Sequence, residues 1–327
     1  DVTFLSNRLS FNFDYFTEKR TGILIAPNQM PIIIATSLPN LNIGAVNNKG
    51  YEVVIGWSDR INKLDYYVNT NISYSKNKII NIDEVPNLYD YQNVTGGPTG
   101  RQSGMYKFIR LYRYGDFDKG EDGEYILKKD LPQPYIQVYP GDAMYADLND
   151  DGTVDADDRM VYGYSSRPEY VFGLNVGLQY EGVGLTMNWA GATHVAKMLE
   201  EDYRTPFTTA GSRGLIQYFV DDSWTPEHQD ASLPRPAVTT RSWNTSKSTL
   251  WLQDASYLRL KTISLNYTMK NMKFLNTLKI KSLVINLSGY NLLTFTKLKA
   301  LDPEGNTQNN GAYPIIKTYN LGATINF

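Results

Sequence analysis

The strongest constraint on this chain is alternation of apolar and polar residues, sustained over long stretches and repeated along its length. In residues 170–180, Tyr170, Phe172, Leu174, Val176, Leu178 and Tyr180 oppose Val171, Gly173, Asn175, Gly177 and Gln179. A strand has period two, so each set occupies one face. After Glu181-Gly182 the pattern restarts, with Val183, Leu185, Met187 and Trp189 against Gly184, Thr186, Asn188 and Ala190. The same holds for Tyr51, Val53, Ile55 and Trp57 against Glu52, Val54, Gly56 and Ser58, for residues 66–75, and for Tyr319 to Phe327. Strands of soluble sandwiches mostly run about five or six residues, and they carry charge on the wet face. These stretches are longer, and their polar face is mostly small and uncharged: Asn, Ser, Thr and Gly. An all-β, transmembrane antiparallel β-barrel fits both features, with the apolar row facing lipid and tyrosines at its two ends.

Composition supports that class by what it removes. The 327 residues include no cysteine and only two histidines, His194 and His228. Disulfide frameworks, thiolate metal sites and multi-histidine metal catalysis are therefore excluded. The 32 basic and 34 acidic residues give a net charge of −2, which argues against nucleic acid as a partner. The mean hydropathy of −0.40 looks soluble, but alternation produces such an average in a membrane barrel too. No apolar run approaches the ~18 residues of a membrane helix. The opening Asp1-Val2-Thr3-Phe4 is not an intact secretory start. The 25 tyrosines among 327 residues suit interfacial aromatic girdles.

The pattern predicts strands near 4–16, 48–58, 64–77, 169–181, 183–196, 252–268, 279–292 and 314–327. The short joins Asp59–Lys63, Glu181-Gly182 and Met269–Leu278 then fall on one side. Tight periplasmic turns and long extracellular loops have this asymmetry, which places residues 17–47, 78–168, 197–251 and 293–313 outside the cell. Two stretches break the pattern. Arg259 and Lys261 share a row with Tyr257, Ile263 and Leu265, so either that strand carries a bulge or the cations sit among anionic head groups. Residues 104–114 form either a further strand or an ordered loop.

The sharpest local motif runs from Asp147 to Asp158. Counting Asp147 as the first position, oxygen ligands fall at Asp147, Asn149, Asp151, Asp155 and Asp158, with the Thr153 carbonyl available and Gly152 at the sharp turn. This is the ligand spacing of an EF-hand-type calcium loop, with Asp in place of the usual final Glu and without the usual flanking helices. The expected role is structural, pinning a long loop; the alternative is an acidic turn closed by Asx hydrogen bonds. No catalytic constellation emerges: Gly96-Gly97-Pro98-Thr99-Gly100 lacks the Lys-Ser/Thr of a phosphate loop, and Ser103 has no G-x-S-x-G context. The chain is not expected to be an enzyme. Asn71, Asn266 and Asn286 head N-x-S/T triplets but lie inside predicted strands. Trp224, Trp243 and Trp251 crowd the loop near 197–251; they either stack on a substrate or partner, or pack the loop against itself.

A set of motifs in fixed order carries a family resemblance. They are Phe13-Asp14-Tyr15-Phe16-Thr17-Glu18-Lys19-Arg20-Thr21; Asn42-Ile43-Gly44 leading to Asn48-Lys49-Gly50-Tyr51-Glu52; Pro140-Gly141-Asp142 with Asp147-Leu148-Asn149-Asp150-Asp151-Gly152; Trp224-Thr225-Pro226-Glu227 followed by Leu233-Pro234-Arg235; Asp254-Ala255-Ser256-Tyr257-Leu258-Arg259-Leu260-Lys261; Asn291-Leu292-Leu293-Thr294; and Asp302-Pro303-Glu304. With these, the chain resembles the C-terminal part of the SusC-like TonB-dependent outer-membrane transporters of Bacteroidetes, over most of its 327 residues. The resemblance implies a 22-stranded barrel filled by an N-terminal plug, a TonB-contacting segment, and a SusD-like surface lipoprotein over the extracellular mouth. No segment here resembles the plug, so residues 1–327 are expected to be the C-terminal part of one barrel domain. The resemblance also implies that Phe327 is the terminal aromatic recognised during barrel assembly.

The function that follows is TonB-dependent import of an oligosaccharide or peptide across the outer membrane of a Gram-negative bacterium. Asn69, Asn71, Asn175, Gln179, Asn188, Asn286 and Asn320 would line the lumen, and the apolar rows would meet outer-membrane lipid. The alternatives are a passive porin or structural adhesin barrel, and a soluble secreted β-sandwich with a calcium loop.

Overall fold

The computed structural model describes residues 1–29, 39–199, 203–207, 214–237, 242–299, 301–305 and 315–327. Its backbone is one antiparallel sheet carrying a body of folded loops. Nine strands follow one another in the sheet in chain order: β1 (Val2–Phe4), β2 (Leu9–Ile25), β3 (Leu41–Ile61), β4 (Leu64–Asn81), β5 (Tyr170–Tyr180), β6 (Val183–Thr193), β7 (Tyr257–Lys270), β8 (Ser282–Thr296) and β9 (Thr318–Asn326). All eight predicted strands are present, with shifted limits. The first is a hairpin, because Leu5, Ser6 and Asn7 take positive φ and turn β1 back on β2. β2 and β3 also run far into the predicted loop 17–47. Alternation stops there because both faces are wet (Glu18, Lys19, Arg20 against Asn47, Asn48), yet backbone pairing continues. Residues 252–254 leave the sheet and pair with Ala196–Met198. The join before β8 holds one helical turn, α1 (Lys273–Thr277), anchored by buried Leu275.

Register converts the sequence pattern into rows. On one face Phe13, Val53, Ile72 and Phe172 are successive partners, as are Val68, Val176, Met187 and Ile263. One end of this face is marked by Tyr15, Tyr51, Tyr74 and Tyr170 in a single cross-strand row. Ring centroids there lie 5.3 Å apart for Tyr51–Tyr74 and 4.6 Å for Tyr74–Tyr170. Toward the other end, Tyr180 and Tyr267 share a row through Val183. The span from Tyr170 to Tyr180 is about 33 Å of strand at ~3.3 Å per residue, or about 25 Å in height at a tilt near 40°. That matches the apolar band of a membrane barrel, ~25 Å tall.

Burial is inverted relative to a soluble protein. The large apolar residues of the sheet are exposed, Phe13 at 53% and Leu321 at 77%. The deepest side chains, Trp243, Trp251, Tyr106, Tyr145 and Phe219, lie in the connections between strands. One cluster joins Tyr106, Tyr112, Val138, Tyr145, Val154 and Trp243; a second joins Met105, Met198, Phe219, Leu233 and Trp251. The β4–β5 and β6–β7 connections therefore fold into one another. Residues 104–114 belong to this body as an ordered loop: Gln102–Met105 pairs with Met160–Tyr162, and Phe108–Leu111 with Ala143–Tyr145. Among the described residues no helix is long and apolar enough to cross a membrane.

Candidate functional site

The second face of the sheet is a field of amides and hydroxyls. Gly56, Asn69, Asn175, Asn188 and Thr262 are successive cross-strand partners, and Gln179, Gly184, Asn266, Asn286 and Gly322 form a parallel row. Asn71, beside Gly173, and Asn320, beside Ser288, lie on the same side. The Asn188 amide donates to Asn175 Oδ1, and Ser264 Oγ donates to Asn286 Oδ1 at 2.7 Å. Glycine makes room here: a Cβ on Gly177 would stand 2.1 Å from the Tyr67 ring, so Tyr67 lies across the strand. The middle of this face offers hydrogen bonds in both directions with little formal charge. All seven residues expected to share the polar side do so.

The anomaly at Arg259 and Lys261 is a bulge. Register with both neighbours shifts at this point, between Leu260 and Thr262 on one side and across Asn188/Trp189 on the other. The slip moves Arg259 off the apolar row to stand between Ala190 and Thr294. Its guanidinium, only 2% exposed, donates to Asp302 Oδ2 at 2.6 Å, to Thr294 Oγ1 at 2.9 Å and to Glu304. Lys261 and the Tyr257 hydroxyl also donate to Glu304, at 2.5 and 2.9 Å. Lys197 donates to the Gly305 carbonyl; burial holds its ammonium below the ordinary value, with Asp302 and Glu304 opposing that shift. The loop after β8 is thereby tied to β7. The sequence signal for this cluster was two cations in an apolar row.

A second tie closes the loop body. Asp142 is buried; its carboxylate accepts from Arg235 Nε at 2.8 Å, from Asn244 Nδ2 at 3.0 Å and from the Tyr139 N–H at 3.0 Å. Gly141 beside it has φ +86°, and a Cβ there would meet the Trp224 ring at 2.5 Å. The Arg235 N–H donates to the Gly141 carbonyl at 3.0 Å. Two motifs nearly a hundred residues apart, Pro140-Gly141-Asp142 and Trp224…Leu233-Pro234-Arg235, thus form one joint.

The acidic loop is closed by its own backbone. Asp158, fully buried, accepts from the Leu148 N–H at 2.6 Å and the Asp155 N–H at 2.8 Å. Asp147 accepts from Gly152, Asn149 from Asp151, Asp151 from Thr153, and Asp155 from Asp157. Burial raises the Asp158 pKa, and the nearby Asp147 charge adds to it. Asp147 Oδ1 is buried without a hydrogen-bond partner. The donors are hard oxygens of the kind Ca²⁺ takes, but among the described residues no three carboxylate or imidazole groups gather closely enough to hold a metal ion. Asx hydrogen bonds close the turn and leave one buried carboxylate oxygen of Asp147 unpartnered.

Of the two roles left open for the three tryptophans, stacking on a ligand or packing the loop, the structure shows packing. Trp243 and Trp251 are 2% and 1% exposed, and their indole N–H groups donate to the Ala143 and Asn244 carbonyls at 2.7 and 2.8 Å. Trp224 is buried against Gly141 and Tyr114. None presents a face for stacking, because a body built of loops has to supply its own apolar core. Phe327 follows β9 with its ring exposed.

No protein-family model matches the chain. Individual proteins do. TonB-dependent receptor P3 of Formosa agariphila is 28% identical in an alignment covering 100% of this chain and 33% of that protein. TonB-dependent receptor P26 of the same organism is 25% identical, with 34% of its length covered, and TonB-dependent receptor SusC of Bacteroides thetaiotaomicron is 23% identical, with 31% covered. The resemblance to SusC-like TonB-dependent transporters holds. The chain spans about a third of these relatives, which are receptors and transporters by name and not enzymes. The RagAB peptide transporter superposes with a TM-score of 0.67 at 21% identity, over 98% of this chain and 34% of that one. Its importer form in the open-open state gives a TM-score of 0.70. At that identity the likeness concerns the fold, and the sheet has the strand arrangement of a β-barrel segment.

Proposed function

We propose that the chain is the C-terminal wall of a plugged outer-membrane β-barrel, 22-stranded as the resemblance implies, that imports a nutrient with TonB and a SusD-like lipoprotein. The observation that carries this reading is the inverted burial. A sheet with one exposed apolar face, bounded by tyrosine rows about 25 Å apart in height, is stable only against hydrocarbon. The opposite face then lines the lumen, and the loop body lies at the extracellular mouth. Neutral amides such as Asn69, Asn175, Asn188 and Asn286 suit a polyhydroxylated or peptide solute, which exchanges hydrogen bonds without bringing net charge. The peptide class has further support in a structural neighbour that is a peptide transporter.

The test is uptake by the full-length protein in cells with and without TonB. Growth on an oligosaccharide or peptide that needs both proteins supports import; uptake indifferent to TonB supports the passive-porin reading. A structural Ca²⁺ in the Asp147–Asp158 loop is part of the proposal. Its support is the donor set Asp147, Asn149, Asp151, Thr153, Asp155 and Asp158 and the unpartnered Asp147 oxygen. Calorimetric titration of the full-length protein with calcium tests it, and absence of binding in wild type sinks it.

A further inference from the structure

Beyond the upper tyrosine row the strands continue, and their register places a band of cations on the same face as the tyrosines. One step past Tyr15–Tyr51–Tyr74 lies the row Thr17–Lys49–Lys76, and the next is Lys19–Asn47–Lys78. Two residues of strand advance ~6.6 Å, or about 5 Å in height at a tilt near 40°. The lysines thus stand about 5 and 10 Å above the tyrosine belt by the same geometry. Glu18 and Glu52 alternate to the opposite face. The acid that meets the band is Glu169, whose carboxylate lies 3.1 Å from Lys76 and 3.3 Å from His194 Nδ1. Lys19, Lys49 and Lys78 are exposed and form no ion pair among the described residues. Lys49 and Lys76 are direct cross-strand partners, an arrangement that like charges disfavour unless an anion lies between them. At the short-turn end the corresponding outward rows hold Leu64, Val183, Met269, Leu283 and Ile325.

We propose that Lys19, Lys49 and Lys78 dock the phosphate groups of a phosphorylated membrane lipid in the leaflet on the long-loop side. This rests on the membrane reading of the apolar face. A lipid fits better than a free anion because the lysines are exposed and, among the described residues, no ring of backbone N–H groups encloses a small ion. Directly below it, the tyrosine belt and the Phe13–Val53–Ile72 row give acyl chains an apolar track. Head group and chains are therefore met in the order, and at the heights, that a bilayer presents them.

The experiment uses full-length protein in detergent, titrated with mixed micelles containing bisphosphorylated lipid A, its dephosphorylated form, or no lipid A with inorganic phosphate added. Wild type should prefer the bisphosphorylated lipid. Replacing all three lysines (K19Q/K49Q/K78Q) should weaken that binding on the order of a hundredfold, since each near-surface cation contributes about a fivefold factor. The K19R/K49R/K78R protein should bind like wild type, and so should K273Q/K279Q, which removes cations at the short-turn end. Unchanged binding by the glutamine triple, equal binding of dephosphorylated lipid, or inorganic phosphate binding as tightly as the lipid overturns the proposal. Wild-type protein absent from the outer-membrane fraction overturns the membrane reading and this proposal with it. Protein present there, with lipid affinity indifferent to the triple substitution, overturns this proposal alone.

Discussion

The Arg259 cluster permits a prediction in which removing a buried charge does less harm than leaving it unpaired. In the double substitution Asp302→Asn with Glu304→Gln, Arg259 remains buried with no carboxylate to face. Breaking a buried pair in this way costs about 3–5 kcal/mol. Asp302 and Glu304 keep 18% and 21% of their side-chain exposure, so water can partly replace them and the low end, about 3 kcal/mol, applies. Arg259→Met instead removes the buried charge, while Glu304 keeps Lys261 at 2.5 Å and Asp302 can turn to water. Its cost should be about 1 kcal/mol, because the charges left behind are not buried and unpaired: Glu304 keeps a cation and Asp302 reaches solvent. Amide hydrogen exchange across residues 301–305 of the full-length protein reads the difference. A loss of 3 kcal/mol speeds exchange by about a hundredfold, and 1 kcal/mol by about fivefold. If the carboxylate double variant exchanges no faster than Arg259→Met, the ion cluster does not hold this loop and the reasoning fails.

Three further outcomes follow from the geometry. Gly141→Ala should destabilise the loop body by about 1–3 kcal/mol from its left-handed backbone alone, with the Trp224 clash added; a thermal melt followed by tryptophan fluorescence checks it, and an unchanged midpoint counts against the Gly141–Trp224 contact. Val176→Arg should cost about 2–4 kcal/mol of membrane folding and Asn175→Arg far less, measured as the folded fraction in lipid vesicles; equal effects would contradict the assignment of faces. Burial alone would raise the Asp116 pKa, but the Arg110 fork at 2.6 and 2.8 Å and the Arg113 N–H hold it below the ordinary 3.8. Its contribution is therefore complete above pH 3.8 and lost as pH falls through the lower folded value. A pepsin-sensitivity profile should show cleavage near residues 108–128 rising below pH 3.8, and Asp116→Asn should flatten that rise.

The sheet was legible because a sheet with one apolar and one polar face must alternate without interruption, and period two survives in sequence as bare residue order. Even the exception was legible: Arg259 and Lys261 sat in an apolar row, and the bulge resolves them. The limits of β2 and β3 were not, since past the tyrosine row both faces carry polar side chains and backbone pairing alone continues the strands. The role of the tryptophans stayed open in sequence for a related physical reason. A loop in sequence is taken to be open, whereas the β4–β5 and β6–β7 connections are long enough to bury Trp243 and Trp251 in a core of their own. The acidic run shows its residue types in sequence but not how its oxygens are spent, and backbone N–H groups take most of them.

The positions of the motif residues bear on what the resemblance can mean. Asp142 and Arg235 meet each other, Gly141 lies against Trp224, and Arg259 meets Asp302 and Glu304. All of these are ties that fix loops to one another or to the sheet. The amides of the polar face, Asn69, Asn175, Asn188 and Asn286, stand outside those motifs, placed by strand register, with Asn188 bonded to Asn175 and Ser264 to Asn286. A tie needs particular partners at particular distances, so its residue types are constrained together. A lumen position needs only to be small and polar enough for whatever passes it. Two chains can therefore share these joints and still differ at the amide positions of the polar face, because none of those four amides belongs to a motif, although motif residues such as Glu52 share that face.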